Sequence, residues 1–166
     1  MTLRRLLPPL FFLASIALSA PSSALQLDAT LGGFAPATTA DTERAAITDY
    51  LRANLGEPYR FGATGGREGF DCSGLVLRAY AAAGLQVPRI STQQFRVGTP
   101  VSPEALRAGD LLFYRMRQGK SARLHVVVYI GDGRAIHASV GHKQVREIDI
   151  TRKVWSSRLV AARTLL

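Results

Sequence analysis

Residues 59–74 read Tyr-Arg-Phe-Gly-Ala-Thr-Gly-Gly-Arg-Glu-Gly-Phe-Asp-Cys-Ser-Gly. Four glycines, Gly62, Gly65, Gly66 and Gly69, run into Asp71-Cys72-Ser73-Gly74, and an apolar, alanine-rich segment follows from Leu75 to Ala83. The pattern predicts a loop that delivers Cys72, the chain's single cysteine, to the start of a helix over 73–83 that stops at Gly84. At a helix start the unpaired backbone N–H groups and the positive end of the helix dipole stabilise an anion. Cys72 is therefore expected to stand as a thiolate nucleophile at neutral pH.

Whether a lone thiol is kept for use depends on where the protein works. Arg4 and Arg5 precede an apolar run from Leu6 to Ala20, and Ser22-Ser23-Ala24 sets small residues at the spacing of a cleavage site, so residues 1–24 read as a secretory signal peptide. Pro8, Pro9 and Pro21 leave the run short of the ~18–20 residues a membrane span needs, so no membrane anchor is expected after cleavage. No cysteine stands at the cleavage site for lipid attachment, and the expected location is the periplasm or the cell exterior. In an oxidising compartment a single cysteine forms no internal disulfide, and its place after a glycine loop favours a reactive thiol over a buried apolar one.

The 166 residues suffice for one domain with its own core, expected as a monomer. The formal net charge of +9 falls to +7 without the two leader arginines, which suits an anionic partner. Lys and Arg are scattered without interleaved aromatics, which argues against nucleic acid.

Residues 25–40 read as a flexible lead-in, and the domain is expected over 41–166. Asp41 or Thr42 is expected to cap a first helix carrying Ala46, Ile47, Tyr50, Leu51 and Leu55 at spacings of three and four before Gly56. After the Cys72 helix, Pro88 keeps Leu85–Ile90 extended, and Ser91 or Thr92 is expected to cap a short third helix through Val97. From Gly109-Asp110 onward the residues turn β-forming. Leu111–Met116, Leu124–Ile130, Ala135–Ser139, Val145–Ile150 and Leu159–Thr164 are five short runs separated by turn signals. Helices first and an antiparallel sheet second define an α+β domain, its N-terminal helices packed on five strands.

A cysteine nucleophile needs a base, and the base needs an orienting group. The histidines are His125, His137 and His142. A hairpin loop at Gly131-Asp132-Gly133 sets 125 opposite 139 and 127 opposite 137. His125 and His137 then share one face on diagonal positions, ~5–8 Å apart. Together with a helix-start cysteine they supply nucleophile, base and orienter. No metal site is expected, because one cysteine and histidines five apart across a turn do not make a zinc ligand set. Gly62–Gly66 lacks the Lys-Ser/Thr of a phosphate loop.

Phe70-Asp71-Cys72-Ser73-Gly74-Leu75-Val76, Arg89 through Gln93, Gly109-Asp110-Leu111, His125-Val126 with Tyr129-Ile130-Gly131, and His137-Ala138-Ser139 together resemble the NlpC-type, papain-like cell-wall cysteine peptidases. The resemblance covers about Asp41 to Leu166. It implies a papain-like fold and hydrolysis of amide bonds in peptidoglycan stem peptides or cross-links, with no cofactor. Cys72 would attack, His125 would act as base, His137 would be the polar third member and Tyr59 would assist at the oxyanion. Asp71, Ser73, Arg89 and Ser91 would line the substrate site, with Asp71 also capping the helix and Ser73 lending a backbone N–H.

The chain departs from the family pattern in three places. The loop between Tyr59 and Cys72 is about one residue longer than the family pattern, Ile90 interrupts the usual Pro-Arg-Ser, and Val127 replaces a common glycine and is expected to narrow the cleft. Besides an exported antibacterial toxin that would use the same chemistry against a rival's wall, two other readings stay open. One is a wall-binding module that keeps the fold without catalysis, which intact Cys72, His125 and His137 argue against. The other is the same machinery acting as an amidase or acyltransferase on a non-wall substrate.

Overall fold

Helix α1 begins where a threonine closes it. In the computed structural model, which describes residues 37–118 and 121–166, the Thr38 hydroxyl oxygen accepts the Asp41 N–H (3.1 Å) while the Asp41 carboxylate accepts the Thr38 N–H (3.3 Å) and hydroxyl (2.8 Å). Asp41 is thus the third residue of a capping box and not the cap itself, so α1 spans Thr39–Ala53 and starts earlier than the sequence suggests. The signal peptide read over 1–24 and most of the lead-in fall outside the described residues. Among the described residues no helix is long and apolar enough to cross a membrane.

Helix α2 spans Cys72–Ala82 behind Asp71, as expected. Helix α3 is a single turn, Ser91–Gln94, that Ile90 precedes without a side-chain cap; neither Ser91 nor Thr92 caps it, and it stops short of Val97.

The sheet has six strands where the sequence suggests five. They are β1 (Thr99–Val101), β2 (Leu111–Gln118), β3 (Ser121–Gly131), β4 (Arg134–Ser139), β5 (Gln144–Asp149) and β6 (Leu159–Thr164), in the spatial order β1-β6-β2-β3-β4-β5 and antiparallel throughout. The additional strand is β1. It escapes a pattern search because it has three residues and a central proline, and the proline is tolerated because β1 is an edge that pairs only with β6.

Both faces of the sheet are covered. Phe113, Val126, Val128, Ile136, Ala138 and Val145 pack under Ile47 and Leu51 of α1 and Leu75, Val76, Ala79 and Tyr80 of α2. Leu112, Tyr114, Val127, Ala135, Ile148 and Ala162 form a second apolar layer on the opposite face, roofed by Trp155 of the short helix α4 (Lys153–Ser156). Val127, 0% exposed, belongs to this layer and not to the cleft, so it does not narrow the opening as the sequence suggests.

One buried ion pair ties the layers together. Arg44 of α1 donates to Asp110 (2.9 Å), to the Ala108 carbonyl (2.6 Å) and to the Thr164 hydroxyl of β6 (3.1 Å). The Tyr80 hydroxyl of α2 donates to the Gly109 carbonyl at 2.6 Å.

Candidate active site

The glycine loop is folded back on itself just before α2. The Phe70 N–H donates to the Pro58 carbonyl (2.9 Å), the Arg60 N–H to the Phe70 carbonyl (3.0 Å) and the Asp71 N–H to the Ala63 carbonyl (3.1 Å). Two glycines make this closeness possible. A Cβ on Gly69 (φ +77°) would collide with the Pro58 carbonyl, and one on Gly74 with the Ala63 carbonyl.

Asp71 fastens the loop to the helix. Its Oδ1 accepts the Gly74 N–H (2.6 Å), the Ser73 hydroxyl (3.3 Å) and Arg89 Nη1 (3.1 Å); its Oδ2 accepts the Gly62 N–H (2.9 Å) and Arg89 Nη2 (2.8 Å). Arg89 Nη1 also reaches Ser73 Oγ at 3.0 Å, and the Ser91 hydroxyl donates to the Leu124 carbonyl of β3 at 2.9 Å. These four side chains stand on the cleft wall, with polar groups bonded to the protein itself.

Strand pairing explains how the start of α2 meets β3. The Tyr129 N–H points to the β2 side, where the carbonyl of Asp110, the residue before β2, accepts it (2.8 Å), so by alternation the Val126 and Val128 N–H groups face β4. Pairing between β3 and β4 runs from Gly131–Arg134 only to Val128–Ile136, and a bulge at the turn absorbs one residue. Beyond Val128 the strands part, which leaves the Val126 N–H outside the β4 ladder, where it favours the Cys72 thiolate.

The expected diagonal placement of the histidines holds, and the rings come closer than the strand geometry alone requires. His125 Nε2 and His137 Nδ1 are 2.7 Å apart, with ring centroids at 5.0 Å and planes at 82°. Trp155 covers both rings, edge-on to His137 at 5.2 Å and tilted over His125 at 6.5 Å.

Burial sets the charge state. It pushes the Cys72 thiol up, and the Asp71 charge adds to the rise, outweighing the N–H groups of Val126, Ser73 and Cys72 itself that favour the thiolate. The expected resting thiolate is thereby corrected to a thiol. Burial likewise pushes His125 down to about 4, and His137 down further, with the charges of His125 and Arg146 adding to the fall. Both imidazoles are neutral at neutral pH. The Tyr59 hydroxyl stays protonated, raised by burial and by the neighbouring Cys72 and Asp71.

Cys72, His125, His137, Tyr59, Asp71, Ser73, Arg89 and Ser91 all line one cleft of about 1210 Å³. His142 is at its rim, exposed, with Nδ1 3.2 Å from the Ser139 hydroxyl. Among the lining residues not assigned to the site from the sequence are Trp155 and Arg146. Trp155 arrives from α4 through tertiary packing that no local pattern announces. Arg146 sits on β5 directly opposite His137, a register that counting a 140–143 hairpin loop would have yielded.

The murein DD-endopeptidase MepH of Escherichia coli is 32% identical over 142 residues, covering 80% of this chain and 52% of that protein. The γ-D-glutamyl-L-lysine dipeptidyl-peptidase of Bacillus subtilis is 36% identical over 109 residues, covering 66% of this chain and 36% of that protein. The chain thus spans about half or less of the length of these curated relatives. Among solved structures, the peptidoglycan hydrolase RipB of Mycobacterium tuberculosis superposes with a TM-score of 0.65 at 29% identity, covering 80% of this chain and 69% of that one. Residues 56–164, a segment that holds the cysteine, both imidazoles and the loop between them and Tyr59, match the NlpC/P60 family, and the chain belongs to that family.

Proposed function

We propose that the chain is an exported cysteine endopeptidase that hydrolyses amide bonds in peptidoglycan peptides, either the γ-D-glutamyl bond within a stem or the D-alanyl cross-link between stems. The observation that carries this reading is the 2.7 Å His125–His137 contact in the cleft that also holds Cys72 at the start of α2. With Nε2 of His125 engaged by His137, the other ring nitrogen, Nδ1, is the one the scheme assigns to the Cys72 proton.

The neutral resting pair implies a proton transfer coupled to attack. As Cys72 Sγ bonds to the substrate carbonyl carbon, His125 takes its proton, and the lone pair on His137 Nδ1 supports the imidazolium through the Nε2–H bond. The oxyanion would be met by the Cys72 backbone N–H and the Tyr59 hydroxyl, each such donor worth about 3 kcal/mol in the transition state. The imidazolium returns its proton to the leaving amine, and water, deprotonated by His125, hydrolyses the thioester. Asp71, Ser73, Arg89 and Ser91 act in this scheme as positioning residues, because their polar atoms already hold the loop, α2 and β3 together.

Digestion of purified peptidoglycan sacculi with the chain and with Cys72→Ala, with products identified by mass spectrometry, tests the proposal. New peptide fragments should come only from the unaltered protein, and their masses name the bond. Sedimentation of both proteins with sacculi and no fragments from either would favour a wall-binding module instead.

A further inference from the structure

Arg146 is directly opposite His137 across the β4–β5 ladder, on the same face of the sheet, and lines the cleft. It is half-buried, and its Nε is fully enclosed with no hydrogen-bond partner among the described residues. Neighbouring cleft arginines differ. Arg89 is held by Asp71 at 2.8 Å and Arg134 by Glu147 at 2.6 Å. Arg117, Arg123 and Arg152 are exposed, so water screens their charge. Arg146 alone among the lining arginines couples partial burial to the lack of an acidic partner among the described residues. An arginine so placed beside the neutral His137 imidazole carries an uncompensated charge, and an anion entering the cleft relieves it. The planar guanidinium fork matches a carboxylate.

We infer that Arg146 is a specificity residue that captures a free carboxylate of the substrate flanking the scissile amide. The inference rests on the peptidase reading and narrows its substrates to amides with such a carboxylate. The carboxylate has two chemical sources. A γ-linked glutamyl residue uses its side-chain carboxyl in the amide and leaves its α-carboxylate free on the acyl side, while the residue that supplies the amine carries its own carboxylate on the other side.

Binding measured on Cys72→Ala, which lacks the nucleophile, separates the sources and stands apart from turnover. Three γ-D-glutamyl-L-lysine peptides serve as probes in isothermal titration: one with only the acyl-side carboxylate, one with only the amine-side carboxylate, and one with both converted to carboxamides. One of the singly charged peptides should bind about tenfold or more tighter than the uncharged one. Cys72→Ala/Arg146→Met should lose that advantage while binding the uncharged peptide as before, which also reports an intact fold, and Arg146→Lys should keep part of it. The inference is overturned if the three peptides bind Cys72→Ala alike, or if the preference survives Arg146→Met. Failure of the peptidase reading shows separately, as binding that follows this pattern without any cleavage of the peptides by the unaltered chain.

Discussion

Asp110 and Asp71 each hold an arginine away from full solvent exposure, and the two pairs do different work. Asp110 and Arg44 are sealed, with side chains 1% and 9% exposed, and the pair joins α1 to the start of β2 and to β6. Asp71 and Arg89 are 10% and 34% exposed, on the wall of the cleft and one residue before the cysteine. Each carboxylate also collects backbone N–H groups, from Arg107 at Asp110 and from Gly62 and Gly74 at Asp71. The chemistry is the same and the surroundings differ. Where water is excluded, removing one partner strands a charge and the whole fold suffers; where the arginine is a third exposed, solvent softens that loss and the consequence falls on the position of the helix start.

This contrast can be broken by substitution, and the largest effect is expected at the sealed pair. Asp110→Ala leaves Arg44 buried and unpaired, and should lower the free energy of unfolding by about 3–5 kcal/mol. In chemical denaturation this appears as a lower midpoint, while kcat/KM of the folded protein stays within about twofold. Asp71→Ala should reverse the pattern: kcat/KM falls about a hundredfold as the nucleophile shifts, with a clearly smaller change in the denaturation midpoint than at Asp110. Arg89→Lys loses the two-pronged grip but keeps the charge, and should cost about tenfold or less in kcat/KM. Equal stability losses at Asp110 and Asp71 would erase the distinction.

The response to pH also separates the regions, because only the cleft buries histidines. His125 binds its proton at about 4 in the folded chain against 6.5 when exposed, so between these values the unfolded chain holds more protons. Stability should therefore fall as the pH drops from about 6.5 to about 4, and His125→Gln/His137→Gln should flatten that slope. At the alkaline end, burial raises the Cys72 thiol, so the rate of alkylation by iodoacetamide should keep climbing through pH 9. A plateau reached below neutrality would mean a resting thiolate.

Much of the site is legible in the order of the amino acids. Asp71, Cys72 and the alanine-rich run behind them follow local rules of capping and helix formation, and the count that brings His125 and His137 to one face follows from treating Gly131-Asp132-Gly133 as the loop, which the structure realises as a two-residue turn plus a one-residue bulge. What escapes such rules depends on contacts distant along the chain. Thr99-Pro100-Val101 becomes a strand only because β6 lies beside it, whereas the Thr38–Asp41 capping box is local, its partners three residues apart. Trp155 joins the site through packing on Tyr114 at 5.1 Å. The thiolate expectation fails for a similar reason. A helix start lowers a thiol pKa by local geometry, but burial in the folded chain outweighs it.

The most direct test of the central claim, that Cys72 attacks a peptide amide with His125 as its base, is acid-quenched mass spectrometry during turnover of a γ-D-glutamyl peptide. The account predicts an acyl adduct of the donor fragment's mass on the tryptic peptide that contains Cys72, with neither adduct nor turnover in Cys72→Ala. Turnover that continues in Cys72→Ala would contradict it.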